Sequence, residues 1–126
     1  MKTFLEFVNK SELNSLELTL DKLWSVLGID IEFSRHFLDR VNDNRNKEPI
    51  KIQEIEKLFL DTFKKHGKHI AAMKDKDFEA VLNDIQTKLN VPVVLQWNSR
   101  SKQVELMSKT IMRKDNFKTP NTRLKV

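Results

Sequence analysis

Two kinds of hydrophobic periodicity divide this chain, and their order limits the folds that it can adopt. Apolar residues first recur at helical spacing, in two groups: Leu13, Leu16, Leu20, Leu23, Trp24 and Leu27, then Ile52, Ile55, Leu58, Phe59 and Phe63. Gly28 and Gly67 are suited to end these two helices. Residues 79–85, 91–97 and 103–112 follow with the composition of strands. Helices followed by a strand meander predict an α+β fold, with N-terminal helices packed on a small antiparallel sheet.

A shorter pattern lies between the two long helices. Ile29 to Phe33 alternates apolar and polar residues, which predicts a half-buried strand, and Ser34 can cap a helix that begins near Arg35. On such a helix His36 and Arg40 are one turn apart, at the edge of an apolar stripe. The pattern therefore predicts that both side chains face the margin of a cleft. Asn42, Asp43 and Asn44 would end the helix and return Arg45 from a loop.

The last predicted strand allows two interpretations. Val104 and Leu106 share one face, whereas Met107 and Ile111 lie on the other, so both faces are partly apolar. Either the strand is central and covered on both sides, or a bulge near Met107 switches its phase.

Composition excludes several classes of protein. A chain of 126 residues is long enough for one domain with a single core. It has no cysteine, so disulfides, thiolate nucleophiles and zinc–thiolate sites are excluded. Two glycines cannot build a phosphate-binding loop, and no apolar run is long enough to cross a bilayer. We expect a cytoplasmic protein. Both tryptophans, Trp24 and Trp97, are expected to pack in the core.

The positive charge is concentrated near the end of the chain. Residues 107–126 carry six cationic side chains against Asp115 alone, and this excess equals the whole net charge of +5. Charge localised in this way predicts one basic patch that attracts a polyanion. A solvated basic tail is the alternative interpretation.

These features together resemble a known family. The segment from Ile31 to Asp43 with Arg45 and Pro49-Ile50, then a long helix, and then residues 110–114 and 116–119, is similar to the phage-encoded branch of the barnase/EndoU/colicin/RelE-like (BECR-fold) nucleases. The resemblance covers about residues 29–120. It implies that residues 29–126 form a ribonuclease-like α+β domain with a basic C-terminal segment. Residues 1–28 would be a helical N-terminal extension of the same domain.

The resemblance implies metal-independent endoribonuclease activity. The 2′-hydroxyl of RNA would attack the adjacent phosphate, which gives a cyclic phosphate and a 5′-hydroxyl without any cofactor. His36 would act as acid or base, Arg40 would clamp the scissile phosphate, Thr110 would hydrogen-bond it, and Lys114 or Lys118 would stabilise the developing charge. Further RNA contacts would come from four residues: Arg45, Arg113, Lys118 and Thr119. Glu32 or Lys114 would serve as the second proton-transfer group.

Each of these residues also has an ordinary structural interpretation. A single histidine beside an apolar stripe is more often a surface residue, Arg40 has acidic neighbours to pair with, and threonine is a common strand former. His66 and His69 offer no third metal ligand nearby, so we expect no metal site. A noncatalytic module that binds RNA or a host protein is the alternative function, and an immunity protein is a further possible partner. The sequence does not indicate an oligomeric state.

Overall fold

Three helices pack on a six-stranded mixed sheet. The computed structural model describes residues 8–46, 48–74, 76, 78–115 and 117–126, so residues 1–7 of the predicted N-terminal extension lie outside it. The elements are α1 (Lys10–Trp24), a 3₁₀ turn (Ser25–Leu27), β1 (Ile29–Phe33), α2 (Phe37–Val41), α3 (Ile52–Ala71), β2 (Phe78–Asn83), β3 (Leu89–Asn98), β4 (Gln103–Ser108), β5 (Met112–Arg113) and β6 (Thr122–Lys125). The predicted α+β class is confirmed.

The sheet is not purely antiparallel, and that part of the prediction is wrong. Its strand order is β1-β4-β3-β2-β6, and β5 also pairs with β3. The hairpins β2–β3 and β3–β4 are antiparallel, but β1 runs parallel to β4, and β6 runs parallel to β2. Parallel pairing needs a long connection between the strands, and α2, α3 and the β2–β3 hairpin supply it between β1 and β4.

One hydrophobic core joins the helices to the sheet. Asn9 and Glu12 form a capping box at the start of α1, and Gly28 ends the following turn with φ 72°, which glycine adopts without steric cost. Trp24 is fully buried in the same core as the sheet residues. The predicted helix end at Gly67 is wrong, because α3 continues to Ala71. Gly67 instead lets α3 approach Leu27, whose Cδ1 would lie 3.0 Å from a Cβ at this position.

Helix α1 covers the exposed edge of β1. The backbone N–H of Ile31 donates to Oδ1 of Asp21 at 2.7 Å, and that of Phe33 donates to Oε2 of Glu17 at 2.9 Å. These N–H groups would otherwise be open for pairing with another strand. The two carboxylates therefore fix α1 against the sheet and protect its edge.

The long predicted strand 103–112 is interrupted by a bulge. Ser108 lies opposite Val93, and Met112 lies opposite Asn90, so four steps on one strand match three on the other. The extra residue falls opposite Pro92, which has no N–H to donate to the ladder. The bulge lies between Ser108 and Met112, just after the position near Met107 that the second interpretation gave it, and it leaves Thr110 outside the regular strands.

The two tryptophans differ in their surroundings. Trp24 is fully buried, as predicted, but Trp97 is 63% exposed, so the expectation that it packs in the core is wrong. Trp97 lies opposite Val104 near the β3–β4 turn, where β3 extends past the core. Among the helices of the described residues, none has the length and apolar character needed to cross a membrane.

Candidate nucleic-acid interface

The parallel pairing of β1 and β4 brings two of the predicted site segments together. Phe33, at the end of β1, lies opposite Ser108, at the end of β4. Just beyond, the N–H of Ser34 donates to the carbonyl of Ser108 at 2.9 Å, and Oγ of Ser34 donates to the carbonyl of Lys109 at 2.7 Å. The segments that carry His36 and Thr110 therefore leave the sheet at the same end of these two neighbouring strands.

His36 precedes a helix that is shorter than predicted, and Arg40 lies within this helix. Helix α2 starts at Phe37, with His36 in the N-cap position, because Ser34 bonds to Lys109 instead of capping the helix. The His36 side chain is exposed and has no hydrogen-bond partner within the described part of the chain. Arg40 is 46% exposed, and its guanidinium lies 3.6 Å from the Asp43 carboxylate.

Arg45 lies in the loop after α2, as predicted. It adds a second guanidinium group beside that of Arg40. Its guanidinium contacts the Asp43 carboxylate at 2.9 Å. The hydrogen bonds from Arg45 lower the pKa of Asp43 to about 2. Since Arg40 and Arg45 contact the same Asp43 oxygen, the two guanidinium groups lie within a few ångströms of each other.

Asn46 joins this loop to the strand on the other side of the site. Its side chain is buried, and its Nδ2 donates to the carbonyls of Arg40 at 3.0 Å and Val41 at 3.4 Å. Its Oδ1 accepts from the backbone N–H of Arg113 at 3.0 Å. One amide thus couples the end of α2 to β5. Sequence reasoning missed Asn46, because nothing in its local pattern shows a contact 67 residues away.

Arg113 is engaged inside the protein. Its five N–H donors reach both carboxylate oxygens of Glu54 and the carbonyls of Glu48, Pro49 and Thr87 at 2.7–3.3 Å. Burial alone would raise the pKa of Glu54, but hydrogen bonds from Arg113 and from the backbone of Lys51 outweigh it, so the pKa is lowered. The guanidinium predicted to contact RNA therefore has no N–H donor left for a ligand.

A pocket of about 610 Å³ opens beside this ion pair. It is lined by seven residues: Arg45, Glu48, Lys88, Met112, Arg113, Lys114 and Asp115. The predicted residues Arg45 and Lys114 are thus brought together. Lys88 was not predicted, because a lysine in a turn carries no sequence signal that places it beside residues 45 and 114.

Lys118 and Thr119 lie in the segment that leads to β6, and β6 forms the opposite edge of the sheet from β1. Phe117, in the same loop, accepts a hydrogen bond from the Arg123 guanidinium, and Oγ1 of Thr119 accepts from the N–H of Asn121 at 3.1 Å. Among the described residues, no hydrogen bond or ion pair joins 117–121 to the segment of His36 and Arg40. The basic residues of the C-terminal segment are therefore divided between this loop with β6 and the pocket beside β5.

A carboxylate cluster lies between α1, β1 and β4. Among the described residues, Asp30, Glu32 and Glu105 place carboxylate oxygens within 4.8 Å of one another. Carboxylate oxygens at this spacing can share one divalent cation. Gln96 and Asn98 donate to Glu105 at 3.3 and 2.7 Å. Burial, together with the neighbouring carboxylates, raises the pKa of Asp21 and of Glu32 to about 7.

Glu32 is chemically suited to move protons near neutral pH, yet its neighbours are acidic. The groups that raise its pKa, after burial itself, are Glu17, Asp30 and Glu105. An RNA phosphate next to this cluster would be repelled rather than bound. Two residues were predicted as options for the second proton-transfer group. Glu32 lies among carboxylates, whereas Lys114 lines a pocket together with Arg45 and Lys88.

Comparisons of this chain with family models, with curated proteins and with solved structures give no match.

We expect Asn46→Ala to lower the free energy of unfolding by roughly 2–3 kcal/mol, because it leaves the buried N–H of Arg113 and two carbonyls without a partner. Urea denaturation measures this change. Asn44→Ala, in the exposed part of the same loop, should stay within about 0.5 kcal/mol of the parent. Equal effects of the two substitutions would contradict the bridging role of Asn46.

We expect the stability of the protein to fall as the pH rises from about 4 to about 7. The folded state holds protons on Asp21 and Glu32 more tightly than the unfolded state does, so their contribution is complete below their ordinary pKa and is lost through about 7. Asp21→Asn keeps the oxygen that accepts from Ile31 and removes one charge. After allowance for solvent screening, it should stabilise the protein at pH 8 by about 1 kcal/mol and have less effect at pH 5.

Denaturant titrations at the two pH values measure this difference. Asp39→Asn, which removes an exposed carboxylate from α2, is the matched control and should leave the pH dependence unchanged. A pH dependence that is the same in Asp21→Asn and in the parent would exclude this role of the cluster.

Proposed function

We propose that the protein is a metal-independent endoribonuclease, related to the BECR-fold nucleases and encoded by a phage. The observation that carries the proposal is the pairing of β1 with β4, together with the Ser34–Lys109 hydrogen bond. The pairing joins the segment that leads to His36 and Arg40 with the segment that leads to Thr110 at the same end of two neighbouring strands, and this supports the proposal. The exposed side chains of Arg45 and Lys114, which follow these segments in the chain, line the pocket beside β5.

In this mechanism one residue transfers protons, and the others bind the phosphate or stabilise its negative charge. His36 takes the proton from the 2′-hydroxyl or gives one to the leaving 5′-oxygen. Arg40 grips the scissile phosphate with paired hydrogen bonds, and the Thr110 hydroxyl adds another. Lys114 stabilises the negative charge that builds on the phosphorane. Arg45 contacts the RNA backbone, whereas Arg113 has a structural role.

One observation favours the alternative of a noncatalytic RNA-binding module. The His36 imidazole has no partner within the described residues to orient it, and Glu32, a candidate for the second proton transfer, lies among carboxylates. A histidine that is not oriented is a weak general acid or base. The cations would then retain RNA without cleaving it.

Incubation of the purified protein with a mixed RNA pool in excess chelator tests the proposal. We expect cleavage that leaves cyclic phosphate and 5′-hydroxyl ends, and no cleavage of DNA of the same sequence, which lacks the 2′-hydroxyl. His36→Ala should reduce the rate at least about 100-fold, the usual contribution of a general acid or base. Arg40→Ala should reduce kcat and leave the product ends unchanged.

The control for loss of a histidine is His69→Ala, because His69 is exposed on α3, away from the ends of β1 and β4. This variant should cleave RNA at the parental rate. Salt-sensitive binding without cleavage would support the noncatalytic module. Activity that is lost in chelator, or that is equal in His36→Ala and the parent, would disprove the proposed mechanism.

A further inference from the structure

We propose that the pocket beside β5 binds the phosphate that neighbours the scissile one, and that Lys88 is the side chain that selects RNA strands extending into it. This inference rests on the proposed function, since it takes RNA as the ligand. It adds a binding residue from the β2–β3 turn and a requirement for a substrate longer than one linkage.

Three cationic side chains enter the pocket from three separate segments. Arg45 comes from the loop after α2, Lys88 from the β2–β3 turn, and Lys114 follows β5. Arg113 is charged as well, but its donors are used inside the protein. The volume of about 610 Å³ lies within the range of roughly 300–1,000 Å³ found for small-molecule sites. Cations that converge in this way are suited to a single phosphate with its nucleotide.

The pocket lies next to the position proposed for the scissile phosphate. Arg40, which clamps the scissile phosphate in our proposal, and Arg45, which lines the pocket, contact the same oxygen of Asp43 at 3.6 and 2.9 Å. The two guanidinium groups therefore lie side by side around one carboxylate. A strand bound at Arg40 can place its next phosphate in the pocket, and the half-buried Met112 offers apolar surface to the attached base.

The backbone holds Lys88 in place before any ligand binds. The Asp84 carboxylate accepts from the N–H groups of Gln86 and Thr87, and the N–H of Lys88 donates to the Asp84 carbonyl at 2.8 Å. The Lys88 carbonyl accepts from the N–H of Lys114 at 3.0 Å and from the side chain of Asn90 at 3.0 Å. The two lysine positions are thus linked directly, which lowers the entropy cost of binding.

Lys88 has φ 64°, a conformation that favours glycine. Lys102, in the β3–β4 turn, has φ 56° and is also exposed, but it lines a different pocket beside Trp97. The chain therefore contains a matched pair of lysines in the same backbone conformation. Glycine at either position relieves the backbone, so stability and RNA affinity should change independently at residue 88.

Asp115 opposes the binding of an anion. Its carboxylate lies 2.9 Å from the ammonium group of Lys88, and both side chains are more than half exposed. An exposed ion pair of this kind is weak, so a phosphate can displace the carboxylate. Removal of the Asp115 charge should therefore increase RNA affinity, the opposite of the effect of removing Lys88.

The test measures binding of a labelled single-stranded RNA to the His36→Ala protein in excess chelator across a salt series. Adding Lys88→Gly should weaken binding roughly tenfold at low salt, as expected for a lost charged hydrogen bond. It should also make the slope of log K against log salt shallower by about 0.7, the value for one phosphate contact. Asp115→Asn should strengthen binding several-fold. Lys102→Gly should change neither affinity nor slope, and both glycine variants should melt at or above the parental temperature.

The outcomes separate this inference from the proposed function. If the wild-type protein cleaves RNA but Lys88→Gly binds like Lys102→Gly, the pocket assignment is wrong and the nuclease proposal stands. If RNA binds with the expected dependence on Lys88 but the wild-type protein does not cleave it, the pocket assignment is correct and the protein is a noncatalytic RNA-binding module. Absence of both cleavage and binding in the wild-type protein overturns both proposals.

Discussion

The partly buried ion pair of Arg113 with Glu54 fixes the segments on which the candidate interface depends. Through five hydrogen bonds, the guanidinium reaches the start of α3, the loop before it and the β2–β3 turn. Lysine could not replace it, since an ammonium group has three donors and lacks the planar fork. Loss of either partner would leave a partly desolvated charge without its hydrogen bonds, which costs more than the loss of an exposed pair does. Arg45 and Lys88 can line one pocket because this pair fixes the neighbouring backbone.

The division of cations between interior and surface explains why net charge alone is a poor guide to this molecule. Arg113 counts toward the basic C-terminal segment, yet its charge is matched by Glu54 inside the protein. Lys88, which comes from a part of the sequence with balanced charge, contributes to the pocket instead. The positive surface is therefore assembled from loops that are distant in sequence, and the bulge opposite Pro92 directs the chain from β4 towards it.

Local patterns predicted the helices and the strands β1 to β4, but not β6 and not the pairing of the strands. The alternation in Ile29–Phe33 gave the bounds of β1, and Gly28 ends the first helical segment as its position indicated. The parallel partner of β1 was not predictable, because nothing in either strand encodes a neighbour more than 70 residues away. The same limit applies to the site. His36 and Arg40 could be named from one helical turn, whereas Asn46 and Lys88 matter only through contacts with residues 113 and 114.

The carboxylate cluster makes one face of the sheet acidic, and this bears on where RNA would bind. Asp30, Glu32 and Glu105 alternate along β1 and β4 with the residues of the core, so they lie on the opposite face from it. A polyanion is repelled from that surface and attracted to the cations beyond the ends of the same strands. Because the pKa of Glu32 is raised to about 7, the repulsion grows as the pH passes through neutrality. If the protein binds RNA as proposed, the cluster would limit where on the sheet a strand can lie, and the cations would hold it near His36.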